Sequence, residues 1–249
     1  MLRYEYKYLV PNALHDELRK RINPFVEEDR FAHIRPQHQY TVRSIYFDTS
    51  TYRNYHEKVD GIERRKKIRI RGYDFSTRDE NRVFLEIKRK YGAFIIKNRA
   101  PARWSDLEEL LTNRDIDSHI QTGPGFENAK TDARQFFYHV ISAAMRPVIL
   151  VTYEREAFYV TFDRQIRITF DKNIRFRLTK TMDPLFEEQA LLPLITDHFV
   201  LELKFHEGLP EWMLDILTDF GLQRRSFSKY TLSLERALKP QKQRIKRKS

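Results

Sequence analysis

The sequence predicts an α+β fold, in which about eight antiparallel strands form a β-barrel, or tunnel, with a polar lumen, flanked by amphipathic helices. Three observations support this prediction. Glu-x-Lys occurs inside strand-like runs at Glu5/Lys7, Glu86/Lys88 and Glu202/Lys204. Residues two apart on a strand point to the same side, so each copy places an acid and a base on one face. Arginines follow the same period in KKIRIRGY, QIRITFD and NIRFRL, and several segments have the apolar spacing of amphipathic helices.

The face opposite the charges is apolar in two of the copies, at Leu85/Ile87 and at Leu201/Leu203. Long antiparallel sheets avoid exposed edges by closing, and closure with the charges inward makes a hydrophilic tunnel. The apolar outer face then needs cover from the helices. Bases facing inward repel one another unless they are neutralised, which the glutamates and a bound anion would do. An open sheet with its charged side to water is the alternative, and for one Glu-x-Lys copy alone a solvated face with cross-strand ion pairs is favoured.

The first half of the chain alternates strands with short helices. Residues 2–10 predict a strand, and residues 12–22 predict a helix that Asn12 begins and Pro24 ends. Strands follow at residues 39–48, 66–73, 82–89 and 94–98, with a short helix or turn near residues 49–55. A capping-box pattern at Ser105 and Glu108 opens a helix that extends to about Thr112.

The second half adds two long strands and two clear helices. Residues 131–145 have helical spacing, and residues 147–178 predict consecutive antiparallel strands with a tight turn near residues 163–165. Residues 200–205 predict another strand. Pro210 begins a helix that Gly221 caps, and residues 226–236 predict a strand or a strand followed by a helix. Because no linker rich in Pro, Gly or Ser interrupts this pattern, residues 1–238 are treated as one domain.

Composition excludes several classes of site. A chain of 249 residues with 41% hydrophobic content can bury a sizeable core. Zero cysteines exclude disulfides, thiol nucleophiles and cysteine-bound zinc, and neither a Walker A sequence nor a G-x-G-x-x-G loop occurs. The eight histidines show no metal-ligand spacing, so we expect packing or surface roles for them. The first residues do not resemble a signal peptide, and no apolar run approaches the roughly 20 residues of a membrane helix, so we expect a cytoplasmic protein.

The net charge of +11 is concentrated at the carboxyl end. Residues 239–249 carry six Lys or Arg and no acid, and the remaining chain has 40 bases against 35 acids. We predict a basic, disordered tail there. It could contact anionic lipid, nucleic acid or polyphosphate, or only aid solubility.

The order and spacing of the strand motifs resemble a known family. The motifs are RYEYKYLV, SIYFDT, DGIERRKKIRIR, FLEIKRK followed by Lys97, TYEREAFY, IRITFD, VLELKF and SFSKY. From about Leu2 to Tyr230 this set resembles the catalytic domain of the vacuolar transporter chaperone (VTC) family, one of the triphosphate tunnel metalloenzymes. The resemblance implies a polyphosphate polymerase that moves the γ-phosphate of ATP onto a growing inorganic polyphosphate chain, with Mn²⁺ or Mg²⁺ bound.

The resemblance also implies roles for individual residues. The catalytic bases would be Arg69, Arg71, Lys88, Arg155, Arg167 and Lys229. Further phosphate contacts would come from Lys7, Lys97, Arg43, Lys204, Ser226 and Ser228. Glu202 would be the metal carboxylate, with Glu5 and Glu86 as additional acids. We interpret Asp48 and Asp171 as turn or strand-end residues, and Arg64–Lys67 and Arg175/Arg177 as surface or rim charges.

Phosphoryl transfer suits such a set of residues, because it needs positioning and charge neutralisation more than covalent chemistry from the protein. Arginine binds two phosphate oxygens with its planar fork, and lysine supplies a point charge. We favour the polymerase, with a tripolyphosphate or nucleoside triphosphate hydrolase of the same fold and a non-catalytic polyphosphate-binding module as alternatives. ATP and inorganic polyphosphate are the expected partners, with no specific nucleic acid. A peripheral membrane or membrane-protein partner and the oligomeric state are left open.

Overall fold

A computed structural model of the chain describes residues 3–35, 37–74, 81–92 and 94–239. The predicted basic tail begins at Lys239, and residues 240–249 lie outside the described residues, so its disorder stays a prediction.

Within the described residues, ten strands form one antiparallel sheet. The strands are β1 Tyr4–Pro11, β2 Val26–Glu28, β3 Tyr40–Asp48, β4 Arg64–Tyr73, β5 Arg82–Tyr91, β6 Phe94–Arg103, β7 Arg146–Val160, β8 Asp163–Leu178, β9 Leu192–Pro193 and β10 His198–Phe205. Eight of them form a continuous path in the order β1-β10-β8-β7-β3-β4-β5-β6. The short β2 pairs with β7, and β9 pairs with β8. The α+β class with an antiparallel sheet is therefore confirmed.

The described helices are α1 His15–Ile22, α2 Arg30–His33, α3 Arg53–Val59, α4 Leu107–Asn113, α5 Ile116–His119, α6 Ala129–Ser142, α7 Glu211–Asp219 and α8 Lys229–Leu238. Most predicted elements are present, with shifted ends. Asn12 starts a 3-10 turn that precedes α1, and no side chain caps α1. The segment left open as strand or helix is α8, which Ser228 caps by accepting a hydrogen bond from Thr231 N.

Two helical layers cover the apolar outer face of the sheet, as the alternation predicts. Leu18 of α1 and Met213 of α7 belong to one buried cluster with Leu201 and Leu203 of β10. A second cluster, which includes the buried Phe136 of α6, joins α4 and α6 to β4 and β5. Burial of these side chains favours folding by about 25 cal/mol for each Å² of apolar surface removed from water. The apolar stripe of each helix therefore fixes which face of the sheet is turned inward.

The inner face is not polar along its whole length. The long strands β7 and β8 extend beyond the charged region, and there Ile149 and Phe176 form a third buried cluster with Tyr230 and Leu234 of α8. Tyr230 also donates a hydrogen bond to Asp48, whose carboxylate accepts from the backbone nitrogens of Thr49, Asn54 and Tyr55. The α8 helix is thus fixed against the inner face, and its first residue, Lys229, lies beside the charged region.

The sheet curls until its two ends approach each other, but in the part of the chain described β1 and β6 are not paired. Lys88 of β5 reaches Glu5 of β1, with 2.7 Å between Nζ and Oε2. The segment before α8 runs along the free edge of β1, where Arg225 N donates to Lys7 O at 2.8 Å. The sequence predicts that the sheet closes into a barrel by pairing of its strands. In the structure, side chains and the segment before α8 instead cover the side of β1 that faces away from β10.

Candidate functional site

Charged side chains from eight elements converge on the inner face of the sheet. We call this set the interior cluster, and it consists of Glu5, Lys7, Lys67, Arg69, Arg71, Glu86, Lys88, Lys97, Arg99, Arg155, Asp171, Glu202, Lys204 and Lys229. Strand alternation selects most of these members, because five of the strands contribute residues at a spacing of two. The bases contact carboxylates at three centres: Glu86, the pair of Glu5 and Glu202, and Asp171.

Glu86 is the first of these centres, and it is only 1% exposed. Its Oε2 lies 2.7 Å from Arg69 Nη2 and 3.9 Å from Arg71 Nε. Its Oε1 lies 3.0 Å from Lys97 Nζ and 3.1 Å from Arg99 Nε. Although burial opposes ionisation, Arg69 and Arg71 hold the pKa of the Glu86 carboxyl well below its usual range. Glu86 therefore neutralises and orders four bases.

Glu5 and Glu202 form the second centre, where their carboxyl groups lie within hydrogen-bonding reach of each other. Lys7 Nζ is 3.9 Å from Glu5 and 3.6 Å from Glu202, and Lys204 Nζ is 3.8 Å and 3.0 Å from the same two groups. The strand register explains this, since Glu5 pairs with Lys204 and Lys7 pairs with Glu202. Although burial opposes ionisation, Lys204 and Lys7 hold the pKa of the Glu202 carboxyl well below its usual range.

Asp171 is the third centre and joins β8 to α8. Arg155 donates to it with two nitrogens, Nε to Oδ1 at 2.6 Å and Nη2 to Oδ2 at 2.8 Å. Lys229 donates to the same carboxylate, and Arg155 Nη2 also lies 3.4 Å from Glu202 Oε2. Asp171 is fully buried. The interpretation of Asp171 as a turn or strand-end residue was wrong, because a bulge lets β8 continue past it to Leu178.

The lysines of the interior cluster differ in how firmly they hold their protons. Burial lowers the pKa of Lys204 to about 7, with Arg155 and Lys88 adding to the effect of burial. Burial opposes the charge of Lys7 as well, but Glu202 and Glu5 outweigh it and raise its pKa. Burial lowers the pKa of Lys67 well below its usual range, with Lys7 and Lys88 contributing. Burial also lowers the pKa of Lys97, to about 8. Lys67, Lys97 and Lys204 are therefore amines whose positive charge an incoming anion would stabilise.

A cavity of about 600 Å³ opens beside the interior cluster, between β1, β4, β5 and the segment that precedes α8. Among the described residues that line it, Glu5 is the single acid. The bases that line it are Arg3, Lys7, Lys58, Arg65, Lys66, Lys67, Lys88, Lys90, Arg224 and Arg225. A cavity walled by one sign of charge concentrates counter-ions of the opposite sign. This arrangement favours an extended anion over a neutral or cationic ligand.

Two of the predicted bases lie outside the interior cluster. Arg167 faces the same side of the sheet, next to Lys204, but its guanidinium donates to Asp29 Oδ2 at 2.8 Å and to the Tyr40 hydroxyl at 3.1 Å. Arg43 points to the opposite face and is fully buried. It donates to the carbonyls of Asp74 and Glu187, both at 3.1 Å, and to the Glu188 carboxylate.

The placement of Arg43 corrects its assignment as a phosphate ligand. Alternation on β3 turns Ser44 and Tyr46 inward, where they accept from Arg71 and Arg69, so Arg43 between them turns outward. The two predicted serines do line the cavity. The Ser226 hydroxyl accepts from Lys58 at 3.3 Å, and the Ser228 hydroxyl accepts from Lys67 at 2.8 Å while capping α8.

Sequence reasoning missed Lys67 and Arg99 in the interior cluster. Lys67 was grouped with the surface charges of Arg64–Lys67, although it continues the two-residue period of Arg69 and Arg71. Arg99 stands two residues after Lys97, which was included. The same periodicity could therefore have found both, whereas Arg175 and Arg177 do pair with glutamates outside the cluster.

Sequence comparison agrees with this geometry. The sequence pattern of the VTC domain matches residues 2–238. The chain belongs to the VTC domain family. Two proteins named vacuolar transporter chaperone complex subunit 4 are similar to it, one from Schizosaccharomyces pombe, 26% identical over 147 residues, and one from Trypanosoma cruzi, 25% identical over 154 residues. These alignments cover 53% and 54% of this chain but only 20% and 19% of the relatives, so this VTC domain spans a small part of their length.

A solved structure supports the fold alone. A Bacillus halodurans protein, provisionally named an adenylate cyclase, superposes on the VTC domain with a TM-score of 0.51 and 13% identity, covering 92% of this chain and 96% of its own. Within the described residues, we find no helix with the length and apolar character to cross a membrane.

Proposed function

We propose that this VTC domain is a polyphosphate polymerase, which transfers the γ-phosphate of ATP to the end of an inorganic polyphosphate chain. The observation that carries the proposal is the convergence of ten bases on the inner face of one curled sheet: Lys7, Lys67, Arg69, Arg71, Lys88, Lys97, Arg99, Arg155, Lys204 and Lys229. Family membership supports the same substrate class. In this proposal the curled sheet encloses the phosphates as a tunnel.

The arginines are suited to hold the reacting phosphates. Arg71 is buried, and its described hydrogen bonds go to the neutral hydroxyls of Ser44 and Tyr153. It can therefore turn its fork to phosphate oxygens without breaking a close ion pair. Arg69 is held at Glu86 and supplies a fixed positive charge beside it. This pre-organised charge stabilises the transferring phosphoryl group more than it could in bulk water.

The acids fit a divalent cation unequally. Glu5 and Glu202 offer neighbouring carboxylate oxygens, the ligand type that Mg²⁺ and Mn²⁺ prefer. Each oxygen of Glu86 has a base within 3.0 Å, whereas the described bases that face Oε1 of Glu5 and Oε1 of Glu202 lie at least 3.8 Å and 3.6 Å away, so we assign Glu86 to ordering the arginines. When bound, the cation would neutralise part of the negative charge of the phosphates. Lys7 and Lys204 would then exchange their carboxylate partners for phosphate oxygens.

The transfer needs no strong base from the protein. The terminal oxygen of the polyphosphate chain is already anionic, and it attacks the γ-phosphorus as the bond to the β-phosphate oxygen breaks. ADP leaves with that oxygen and the chain is one phosphate longer. The basic cavity beside the interior cluster provides a path along which the growing chain can extend.

The decisive experiment incubates the protein with ATP and Mn²⁺ and sizes the products. We expect equimolar ADP and transferred phosphate, with the phosphate in a polymer resolved on a gel. Release of orthophosphate without polymer would instead select the triphosphate hydrolase, and binding without turnover would select the non-catalytic module.

A matched pair of variants tests the role of the acid pair. Glu202→Gln should abolish the Mn²⁺-dependent turnover of ATP. Glu211→Gln, which changes an exposed acid on α7, should leave that turnover unchanged. Equal turnover in these two variants would contradict the assignment of the metal to Glu202.

A further inference from the structure

A second group of metal-binding side chains lies away from the interior cluster, on the segment from β2 to the turn after α2. Glu28, His33 and His38 each present a ligand atom, and these atoms all lie within 4.8 Å of one another. The spacing of the histidines in the sequence does not predict this group. Glu28, His33 and His38 are five residues apart, a spacing that does not place side chains on one face of a helix. The fold brings them together because α2 ends at His33 and the chain turns back.

We propose that Glu28, His33 and His38 form a binding site for a transition-metal dication of the zinc class. The Nδ1 atoms of both histidines point to the same oxygen, Glu28 Oε2, at 3.4 Å for His33 and 2.8 Å for His38. In tetrahedral zinc sites, metal–ligand bonds of about 2.1 Å place neighbouring ligand atoms about 3.4 Å apart. The three ligand atoms already lie within 4.8 Å of one another, and rotation of the two exposed imidazoles would bring them to this separation.

The donor set selects the class of metal. Imidazole favours zinc, copper and nickel over magnesium and manganese, which prefer carboxylates, carbonyls and water. Two imidazoles and one carboxylate are also a ligand set found in zinc enzymes that keep a fourth position for water. The side chains of His33 and His38 are 72% and 51% exposed, so such a position would face solvent.

The residues around the ligands hold them in place. Arg19 Nη2 lies 3.4 Å from Oε1 of Glu28, the oxygen that the histidines do not use, and thereby orients the carboxylate. His38 N donates to Arg35 O at 3.0 Å, which closes the turn. Arg35 in turn donates to Asp74 with its Nε at 3.1 Å. Arg19 contacts Oε1 of Glu28, whereas a dication would bind Oε2. The carboxylate would therefore still attract a dication although Arg19 is near.

Zinc binding measured on the metal-free full chain tests the site. We expect His33→Ala/His38→Ala to bind one Zn²⁺ fewer per chain than the wild type, by equilibrium dialysis and elemental analysis in excess Mg²⁺. The control variant His56→Ala/His198→Ala, which removes two histidines outside the group, should bind as many zinc ions as the wild type. Glu202→Gln should retain this zinc ion, which separates it from any ion held by the interior cluster.

X-ray absorption fine structure at the zinc edge, measured on the Glu202→Gln protein, gives a second readout. We expect scattering from two imidazole ligands. Equal zinc stoichiometry in the paired His33/His38 variant and the wild type would overturn the proposal. Absence of imidazole scattering from the bound zinc would overturn it as well. Circular dichroism spectra that match the wild type would show that the variants are folded.

Discussion

Arg71 and Arg43 are two buried arginines on neighbouring strands, and they face opposite sides of the same sheet. Arg71 is 6% exposed and Arg43 is 0% exposed. On the outer face, Arg43 is saturated by two carbonyls and the Glu188 carboxylate. On the inner face, Arg71 donates to two hydroxyls, and the Glu86 oxygen lies 3.9 Å from its Nε. Burial alone therefore does not identify a functional arginine, whereas the strength of its existing partners does.

The surroundings of the two residues show the same contrast. Arg43 pairs in register with Gly72, where an added Cβ would lie 2.6 Å from Phe186 Cζ. The outer site is thus packed with side chains and leaves no room for a ligand. Arg71 lies in the interior cluster, among bases that Glu86 neutralises in part. Three bases of that cluster line the basic cavity, namely Lys7, Lys67 and Lys88. The outer site is therefore filled by protein groups, whereas the inner face keeps the bases to which the proposed function assigns the phosphates.

The largest expected effect separates these two arginines by activity. Arg71→Ala should reduce kcat by about 10³-fold, because it removes a pre-organised donor to the transferring phosphoryl group. Turnover of ATP with product sizing measures this change, while the protein stays folded.

Arg43→Ala serves as the matched comparison. It should lower the free energy of unfolding by about 2 kcal/mol, because it leaves buried acceptors without a donor. The kcat of the folded fraction should stay within a factor of about two, which corresponds to a change of about 0.4 kcal/mol in the activation free energy. If Arg43→Ala lost activity as completely as Arg71→Ala while remaining folded, the division between the two faces would be wrong.

Glu86→Gln tests whether the bases of the inner face depend on the negative charge of Glu86 for their stability. The substitution leaves four bases without their shared carboxylate, so we expect a loss of about 3 kcal/mol in the free energy of unfolding. Tripolyphosphate at saturating concentration should restore more stability to this variant than it adds to the wild type, because it replaces the lost negative charge. Urea denaturation with and without tripolyphosphate measures both effects.

The control for this prediction is Glu211→Gln, for which a change within about 0.5 kcal/mol is expected at an exposed position. An unchanged urea midpoint for Glu86→Gln would show that the bases do not depend on Glu86.

The smallest effect concerns the proton of Lys204. Its pKa of about 7 lies below the ordinary value of 10.5, so between these pH values the unfolded chain binds more protons than the folded one. This residue therefore destabilises the fold most below pH 7, and its contribution to stability rises as the pH increases through the window. An anion that binds beside Lys204 raises its pKa, so tripolyphosphate binding at pH 8 should take up protons.

Calorimetry in buffers of different ionisation enthalpy measures this uptake. Lys204→Met should reduce it by up to about one proton per chain, since one titrating group carries one proton. Lys180→Met, at an exposed position, should leave it unchanged. Equal uptake in the two variants would mean that Lys204 is already charged before the anion binds.

The sequence by itself determined which residues share a face. A period of two placed Glu5 with Lys7, Glu86 with Lys88 and Glu202 with Lys204, because successive side chains on a strand point to opposite sides. Helical spacing likewise predicted that α1, α6 and α7 cover the apolar side, and the two buried clusters on that side include them. These are local rules, and they do not depend on where the chain goes next.

Only the tertiary structure decided which charges meet. The ion pair between Lys88 and Glu5 joins residues 83 positions apart, and it depends on how far the sheet curls. The bulge in β8 that keeps Asp171 within the sheet, and the turn that joins His33 and His38 to Glu28, depend on packing that no short pattern encodes. Periodicity assigns a side chain to a face, but its distance from a residue on another strand is set by the twist and packing of the whole sheet.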